Sequence, residues 1–283
     1  MQLKLFKTLW GFDGDYARAA AEAVAAGFDG LEGQVPEEPA MRRALHTALR
    51  ENRLELIAEI TTAGSYVPDR RASVADHLTT LEAGLMRCAE LNPRQVTVIG
   101  GCDAWPEADS LRFFAAAIAM AGRHGLAVSF ETHRSRSLFQ PWVTQRLTAA
   151  LPDMQLTVDF SHWCVVCERL MDSELDVIAS IAPRVRHIHA RVGYDQGPQV
   201  PHPAAPEYAD ALFAHQRWWE ICWDAQRARG WDLTTMTPEF GPDGYLHRLP
   251  FTAAPVADLW QINRWMADTE RDHFQRYLAG GPV

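Results

Sequence analysis

The sequence predicts one single-domain (β/α)8 TIM barrel over residues 1–283, on three observations. Short apolar runs alternate with helix-period segments from end to end, the alternation repeats eight times, and no obvious linker divides it. Strands separated by helices run parallel when their crossovers are right-handed, and eight such units close most economically on themselves. The competing arrangement, a doubly wound open sheet, usually carries a Gly-rich phosphate loop after its first strand. Here that position reads WGFDGD, which is not GxGxxG.

The elements follow in order. LKLFKTLW is a first strand, and DYARAAAEAVAAG an Ala-rich helix closed by Gly27 in the left-handed-prone position. FDGLEG is a short second strand, followed by the helix EPAMRRALHTALREN. LELIAEITT is a third strand, and SVADHLTTLEAGLMRCAELN a helix with apolar residues at 3–4 spacing. QVTVIGG is the fourth strand, and ADSLRFFAAAIAMAGRHG a helix that again ends on Gly. LAVSFETH, MQLTVDFSHW, VRHIHARV and LTTMTPEFG are strands five to eight. Their helices are PWVTQRLTAAL, DSELDVIASIA, FAHQRWWEICWDAQRARG and PVADLWQINRWMADTERDHFQRYL. Two Pro/Gly-rich stretches break the rhythm, at Gly193 to Pro206 and at GPDGYLHRLPFTAAP. Both flank strands seven and eight, so both are expected at the C-terminal face of the barrel, covering substrate.

Composition excludes several classes. Hydrophobic residues are 47% and charged residues 22%, with a net charge of −9 and no Lys/Arg-rich block. A nucleic-acid partner is therefore not expected. Five cysteines without regular spacing argue against a disulfide framework, and the lone Cys164–Cys167 CxxC reads as packing on a helix face. MQLKLFKTLWGF lacks a signal-peptide core, and no apolar run reaches the ~18–20 residues of a membrane span. The expectation is a soluble cytoplasmic protein. The aromatic helix QRWWEICW leaves a homo-oligomer face open, although burial against the barrel also accounts for it.

Four strand endings carry chemistry. Glu131 in VSFETH, Asp159 in LTVDFSHW, His189 in VRHIHARV and Glu239 in TTMTPEFG all fall at or near the ends of successive strands. In a parallel barrel these ends share one face, and side chains two apart on a strand share a direction. Three carboxylates and one imidazole suit a hard or borderline divalent cation with positions left for substrate or water. Mn²⁺ and Mg²⁺ fit best, and Co²⁺ or Zn²⁺ could also occupy such a site. His162, His133, Arg134 and Arg191 cluster near these four, and His187 should lie one layer below His189. Glu32 and Glu59, on strands two and three, suit either substrate hydroxyls or a structural pair. Trp10, Trp105, Trp142 and Trp163 follow strand ends or open helices, where an aromatic face can meet a sugar ring or simply pack.

Glu in strand five, Asp-x-x-His after strand six, His-x-His in strand seven and Glu in strand eight resemble the xylose-isomerase-like TIM barrels, over essentially the whole chain. The ETH at Glu131 and the PEFGP at Glu239 resemble members known as sugar-phosphate isomerases/epimerases. The resemblance implies that Glu131, Asp159, His189 and Glu239 hold one metal ion, and that Glu131 and Glu239 double as the acid/base pair. It implies that His162 contacts a substrate oxygen. His133, Arg191, Glu59 and Trp10 are expected, from their own positions near the strand ends, as further substrate contacts. The ketose 3-epimerases of the group place an arginine several residues past the strand-seven histidine, whereas Arg191 falls earlier here. The nuclease branch carries extra histidines on strands two and three, and FDGLEG and LELIAEITT have none.

The implied activity is a divalent-metal-dependent isomerase or epimerase of a sugar or sugar derivative. A hydroxyl beside a carbonyl chelates the cation, and a carboxylate on each side removes and returns the proton through an enediolate. A lyase on the same scaffold, either a dehydratase or an enzyme cleaving a keto-glycoside, is the alternative. A catalytically silent binding subunit is the third reading, and the presence of all four ligands disfavours it.

Overall fold

Eight parallel strands close into one barrel in strictly sequential order, the last pairing with the first. The structure is a computed structural model that describes residues 1–242 and 244–280. The strands are β1 (Gln2–Thr8), β2 (Gly30–Gln34), β3 (Glu55–Thr61), β4 (Gln95–Ile99), β5 (Val128–Glu131), β6 (Leu156–Val158), β7 (Val185–His189) and β8 (Leu233–Thr237). Around them lie α1 (Tyr16–Ala25), α2 (Pro39–Asn52), α3 (Val74–Ala89), α4 (Glu107–Arg123), α5 (Pro141–Ala150), α6 (Ser161–Cys167), α7 (Leu175–Ile181), α8 (Ala209–Ala228) and α9 (Leu259–Leu278). The expected (β/α)8 barrel is the observed one. No helix among the described residues is long and apolar enough to cross a membrane.

Local chemistry sets the helix ends. Asp15 caps α1 by accepting from the Arg18 amide at 2.8 Å, and Ser73 and Asp76 form a reciprocal capping box on α3. Gly27 and Gly125 follow α1 and α4 with φ of 71° and 66°, the left-handed conformation that glycine adopts without a Cβ penalty.

The differences from the sequence reading concentrate at strand ends. Strand six is only three residues long, and the SHW expected to extend it begins α6 instead. Asp159 causes the switch: its carboxylate accepts the Ser161 amide at 2.9 Å and the Ser161 hydroxyl, turning the chain into the helix. Strand eight stops at Thr237 because Pro238 has no N–H for the ladder. Glu239 therefore stands just past its strand, as Arg191 does after β7.

Side chains from the helices and the outer strand faces form the main apolar layer, with Phe113, Phe114, Phe130 and Trp163 fully buried. Trp218, Trp219, Cys222 and Trp223 of α8 are also fully buried, so the aromatic face of QRWWEICW packs inside the chain and offers no partner surface. The upper part of the barrel interior is polar. Glu32, Thr97, Thr157, His187 and Thr235 are buried there, and Thr97 and Thr157 hydrogen-bond across it at 3.1 Å.

Candidate metal centre and active site

All four strand-end residues meet. Glu131, Asp159, His189 and Glu239 are buried, and each offers a ligand atom within 4.8 Å of the others. They come from β5 and the ends of β6, β7 and β8, which all point the same way because every pairing is parallel. His189 Nδ1 lies 3.0 Å from Glu239 Oε2 and 3.4 Å from Glu131 Oε1.

The imidazole of His189 is oriented from below. Its Nε2 lies 3.1 Å from Glu32 Oε1, while the other Glu32 oxygen lies 3.0 Å from His187 Nε2. His187 Nδ1 is in turn 2.8 Å from the Thr235 hydroxyl. A carboxylate that accepts the Nε2–H of His189 leaves the Nδ1 lone pair facing the carboxylates above. Burial works against ionisation of Glu32, but the two imidazoles outweigh it and hold its carboxyl well below the usual range. His187 is thus the hydrogen-bonded layer below His189, and Glu32 is a structural partner with no place among the residues lining the recess.

Burial has the opposite effect on the carboxylates nearer the opening. It pushes the Glu131 carboxyl up to about 7, against the pull of His189 and with help from Glu239 and Asp159. It also raises Glu59 well above the carboxylate range, reinforced by Glu239 and Glu32. Asp159 is raised by burial although Arg191 pairs with it directly.

The residues present fit a divalent ion. His189 Nδ1 and Glu131 Oε2 are buried without hydrogen-bond partners and belong to the converging set. Buried polar atoms normally have partners, so unpartnered ligand-type atoms inside a cage of carboxylates are the signature expected of a cation site. Glu131, Asp159, His189 and Glu239 would hold it.

The expected substrate contacts also gather here. Trp10, Glu59, His133 and Arg191 line one recess with Glu131, Glu239, Tyr66 and Tyr245. Free space between them is only about 10 Å³, room for about one water. His162 is fully buried beside it, with Nε2 3.8 Å from Glu131 Oε1 and 3.7 Å from Asp159 Oδ2. Its ring centroid is 4.0 Å from that of His133. Arg191 donates to Asp159 and approaches His162 Nε2 at 2.8 Å, while its Nη1 has no partner.

The two tyrosines of the roof, unlike Trp10, were not legible beforehand. Trp10 packs on Tyr66 and Tyr245 with centroids 5.3 and 4.8 Å away, and Arg191 stacks against Tyr245 at 4.7 Å. Both tyrosines sit on loops at the C-terminal ends of strands, after β3 and after β8, and that position was the available signal. Trp10 approaches so closely because residue 241 is Gly: a Cβ there would lie 2.0 Å from the indole.

Other expectations resolve differently. Trp105, Trp142 and Trp163 do not line the recess. Trp163 is core and donates to the Leu138 carbonyl, Trp105 packs on His77, and Trp142 stacks with Arg169. The stretch from Gly193 to Pro206 does not cover the recess either. Its Gln199 exchanges two hydrogen bonds with the Gly241 backbone, at 2.8 and 3.2 Å, and so braces the β8 loop from behind. The second long loop does contribute, through Tyr245. Cys164 and Cys167 are free thiols on α6, with Cys164 in the core.

The sequence matches the family described as xylose isomerase-like TIM barrel over residues 20–198. No curated protein matches it in sequence. Among solved structures it is similar to a 3-keto-D-glucoside 4-epimerase from E. coli, with TM-score 0.61 and 16% identity, over 96% of this chain and 100% of that one. It is also similar to a probable 3-DHS dehydratase from Bacillus anthracis, with TM-score 0.62 and 13% identity, over 95% and 99%. A third is a xylose isomerase-like TIM barrel protein from Mycobacterium smegmatis in complex with magnesium, with TM-score 0.62 and 11% identity, over 95% and 97%. At these identities the likeness shows the shared fold, and the profile match over more than half the chain shows the lineage. The chain belongs to the xylose isomerase-like TIM barrel family.

Proposed function

We propose that this protein is a divalent-cation-dependent isomerase or epimerase of a sugar or sugar derivative, acting by proton transfer at a carbon next to a carbonyl. One observation carries the reading: Glu131, Asp159, His189 and Glu239 converge to within 4.8 Å in a buried site at the barrel's C-terminal face. That the solved structures it resembles include an epimerase and a magnesium complex adds support. Mn²⁺ is the favoured ion, with Mg²⁺, Co²⁺ and Zn²⁺ as alternatives for this donor set. When bound, such an ion polarises a carbonyl oxygen and offsets the negative charge that develops beside it.

The chain's own residues supply the rest. Glu131 takes the proton, because it lines the recess beside Glu239 and the converging set, within reach of a substrate carbon there. Glu239, whose Oε2 lies 3.0 Å from the same His189 nitrogen that Glu131 approaches, is the second proton carrier. Arg191 Nη1 and His162 hold substrate oxygens, His133 backs His162, and Trp10 covers an apolar ring face.

A second reading rests on Glu59. This buried carboxyl lines the same recess as Glu131 and Glu239, and burial raises its pKa well above the usual carboxylate range. A carboxyl raised in this way holds its proton more readily and is placed to protonate a leaving group, which favours a lyase, either dehydratase or keto-glycoside cleavage.

Purified protein is expected to retain about one divalent ion per chain. With a keto-sugar panel in deuterated water, turnover should place deuterium on carbon. Unchanged product mass, apart from deuterium, marks isomerisation or epimerisation, and loss of water or an aglycone marks the lyase. Glu131→Gln and Glu239→Gln should each lower turnover by about 10²–10⁴-fold. Metal-free protein that added Mn²⁺ or Mg²⁺ fails to activate would overturn the proposal.

A further inference from the structure

The recess over Glu131, Asp159, His189 and Glu239 is closed. Its free space is about 10 Å³, whereas sites that take small molecules usually offer about 300–1,000 Å³. Part of its wall must therefore move before a hydrated cation or a sugar enters. Most of the wall is tied down. Glu59, Ile99 and Glu131 stand on β3, β4 and β5. Glu239 precedes Phe240 and Gly241, whose amides donate to Asn263 and Gln199 at 2.9 and 2.8 Å. Arg191 is held by Asp159, and the Tyr66 carbonyl accepts from Arg136 at 3.0 Å. The Trp10 amide donates to the Thr8 hydroxyl at 3.1 Å, and its ring lies against Gly241.

Tyr245 is the exception. Its side chain is buried, yet among the described residues it is held by stacking alone. The guanidinium groups of Arg134 and Arg191 lie 4.9 and 4.7 Å from its ring centre, and Trp10 meets it edge-on at 4.8 Å. Residues 247–256, which follow it after Leu246, are all exposed. Among the described residues their hydrogen bonds stay within the segment: Leu249 N–H to the Ala254 carbonyl at 2.8 Å, Val256 N–H to the His247 carbonyl at 3.0 Å, and Arg248 Nη1 to the Ala253 carbonyl at 2.8 Å. Outside it, His247 makes an edge contact with the Tyr194 ring at 6.4 Å. Tyr245 and Leu246 are thus what buries this flap on the barrel, and lifting it gives up stacking contacts rather than hydrogen bonds.

We propose that Tyr245 is the door of the recess. Residues 245–256 lift away to admit the cation and the substrate, and Tyr245 returns between Arg134 and Arg191 to shut water out. The two guanidinium groups are the latch. A cation over a ring face holds it without a directional bond, so the ring can leave and return. The inference rests on the reading of this recess as a cation site.

The test times cation release by stopped-flow mixing of Mn²⁺-loaded protein with a fluorescent chelator, and takes Kd from equilibrium competition with the same chelator. Tyr245→Ala removes the door and leaves the four proposed ligands in place. Release should quicken by about 10-fold or more while Kd stays within about 3-fold, because entry quickens equally. Tyr245→Phe keeps the stacked ring and should release Mn²⁺ at the wild-type rate. Arg134→Ala removes one face of the latch and should quicken release by about 3-fold. Unchanged release from Tyr245→Ala means that exchange takes another path, and overturns the door. Faster release matched by an equal loss of affinity means that Tyr245 supports the ligands, and overturns it as well. Both results leave the cation reading intact. Wild-type protein that binds no Mn²⁺ overturns that reading, and the door with it.

Discussion

At the scale of single residues, Glu32 decides how the centre is built. It is fully buried and spans two histidines, and removing its charge would leave His189 without the acceptor that fixes its tautomer. Glu32→Gln is therefore expected to weaken cation affinity by about 10–100-fold while the four ligands stay in place. Competition with a fluorescent chelator measures this, and unchanged affinity would remove Glu32 from the centre. The sequence placed Glu32 at a strand end but could not say what it faced. Period-two alternation showed that His187 and His189 point the same way, yet the identity of the side chain opposite depends on barrel closure. The unpartnered Arg191 Nη1 is a similar case: the spacing pointed Arg191 inward, and only the packed structure showed that Asp159 takes one guanidinium nitrogen and leaves another free.

Among the elements, the loops after the strands carry most of what the sequence left obscure. The strands themselves were legible because apolar alternation and helix-closing glycines are local signals. Their exact ends were not, because Asp159 and Pro238 end them through hydrogen bonding and a missing donor. The loop that brings Tyr66 to the roof is held by Arg136, fully buried, which donates to the carbonyls of Thr62 at 2.7 Å, Tyr66 at 3.0 Å, Gly101 at 3.2 Å and Ser65. Arg136→Ala leaves those carbonyls short of donors and should cost on the order of 3 kcal/mol in denaturant unfolding, with a raised KM from the loosened roof. The loop after β7 is docked by His215 of α8, whose Nε2 accepts from the Gly193 amide at 3.2 Å while Nδ1–H donates to the Ala211 carbonyl. Burial lowers the His215 pKa to about 4, so the folded state holds it neutral where the unfolded chain, at about 6.5, would protonate. Its contribution is complete above pH 6.5 and is lost as pH falls towards 4, on the order of 3 kcal/mol in total. Thermal melts between pH 7.5 and 4.5 should show this slope in the wild type and a shallower one in His215→Gln.

For the whole molecule, the eightfold count was the most readable property, since each βα unit announces itself locally and closure follows from their number. A partner surface was the least readable, because the aromatic face of α8 looks the same in sequence whether a neighbour or the barrel covers it. The four proposed ligands come from β5 and the ends of β6, β7 and β8, so a bound ion would tie half the barrel together. Cation binding to the folded state alone should stabilise it by about 2.7 kcal/mol at a free concentration 100 times Kd. A chelator is therefore expected to lower Tm and excess Mn²⁺ to restore it. An unmoved Tm would mean that the ion does not bind the folded chain. The closure of β8 onto β1 adds a consequence in time. Trp10 follows the first strand and Glu239 the last, so a growing chain carries the roof tryptophan long before it has the final carboxylate. The complete set of four exists only once the eighth strand is made and docked, so capture of a metal ion would report that the barrel had closed.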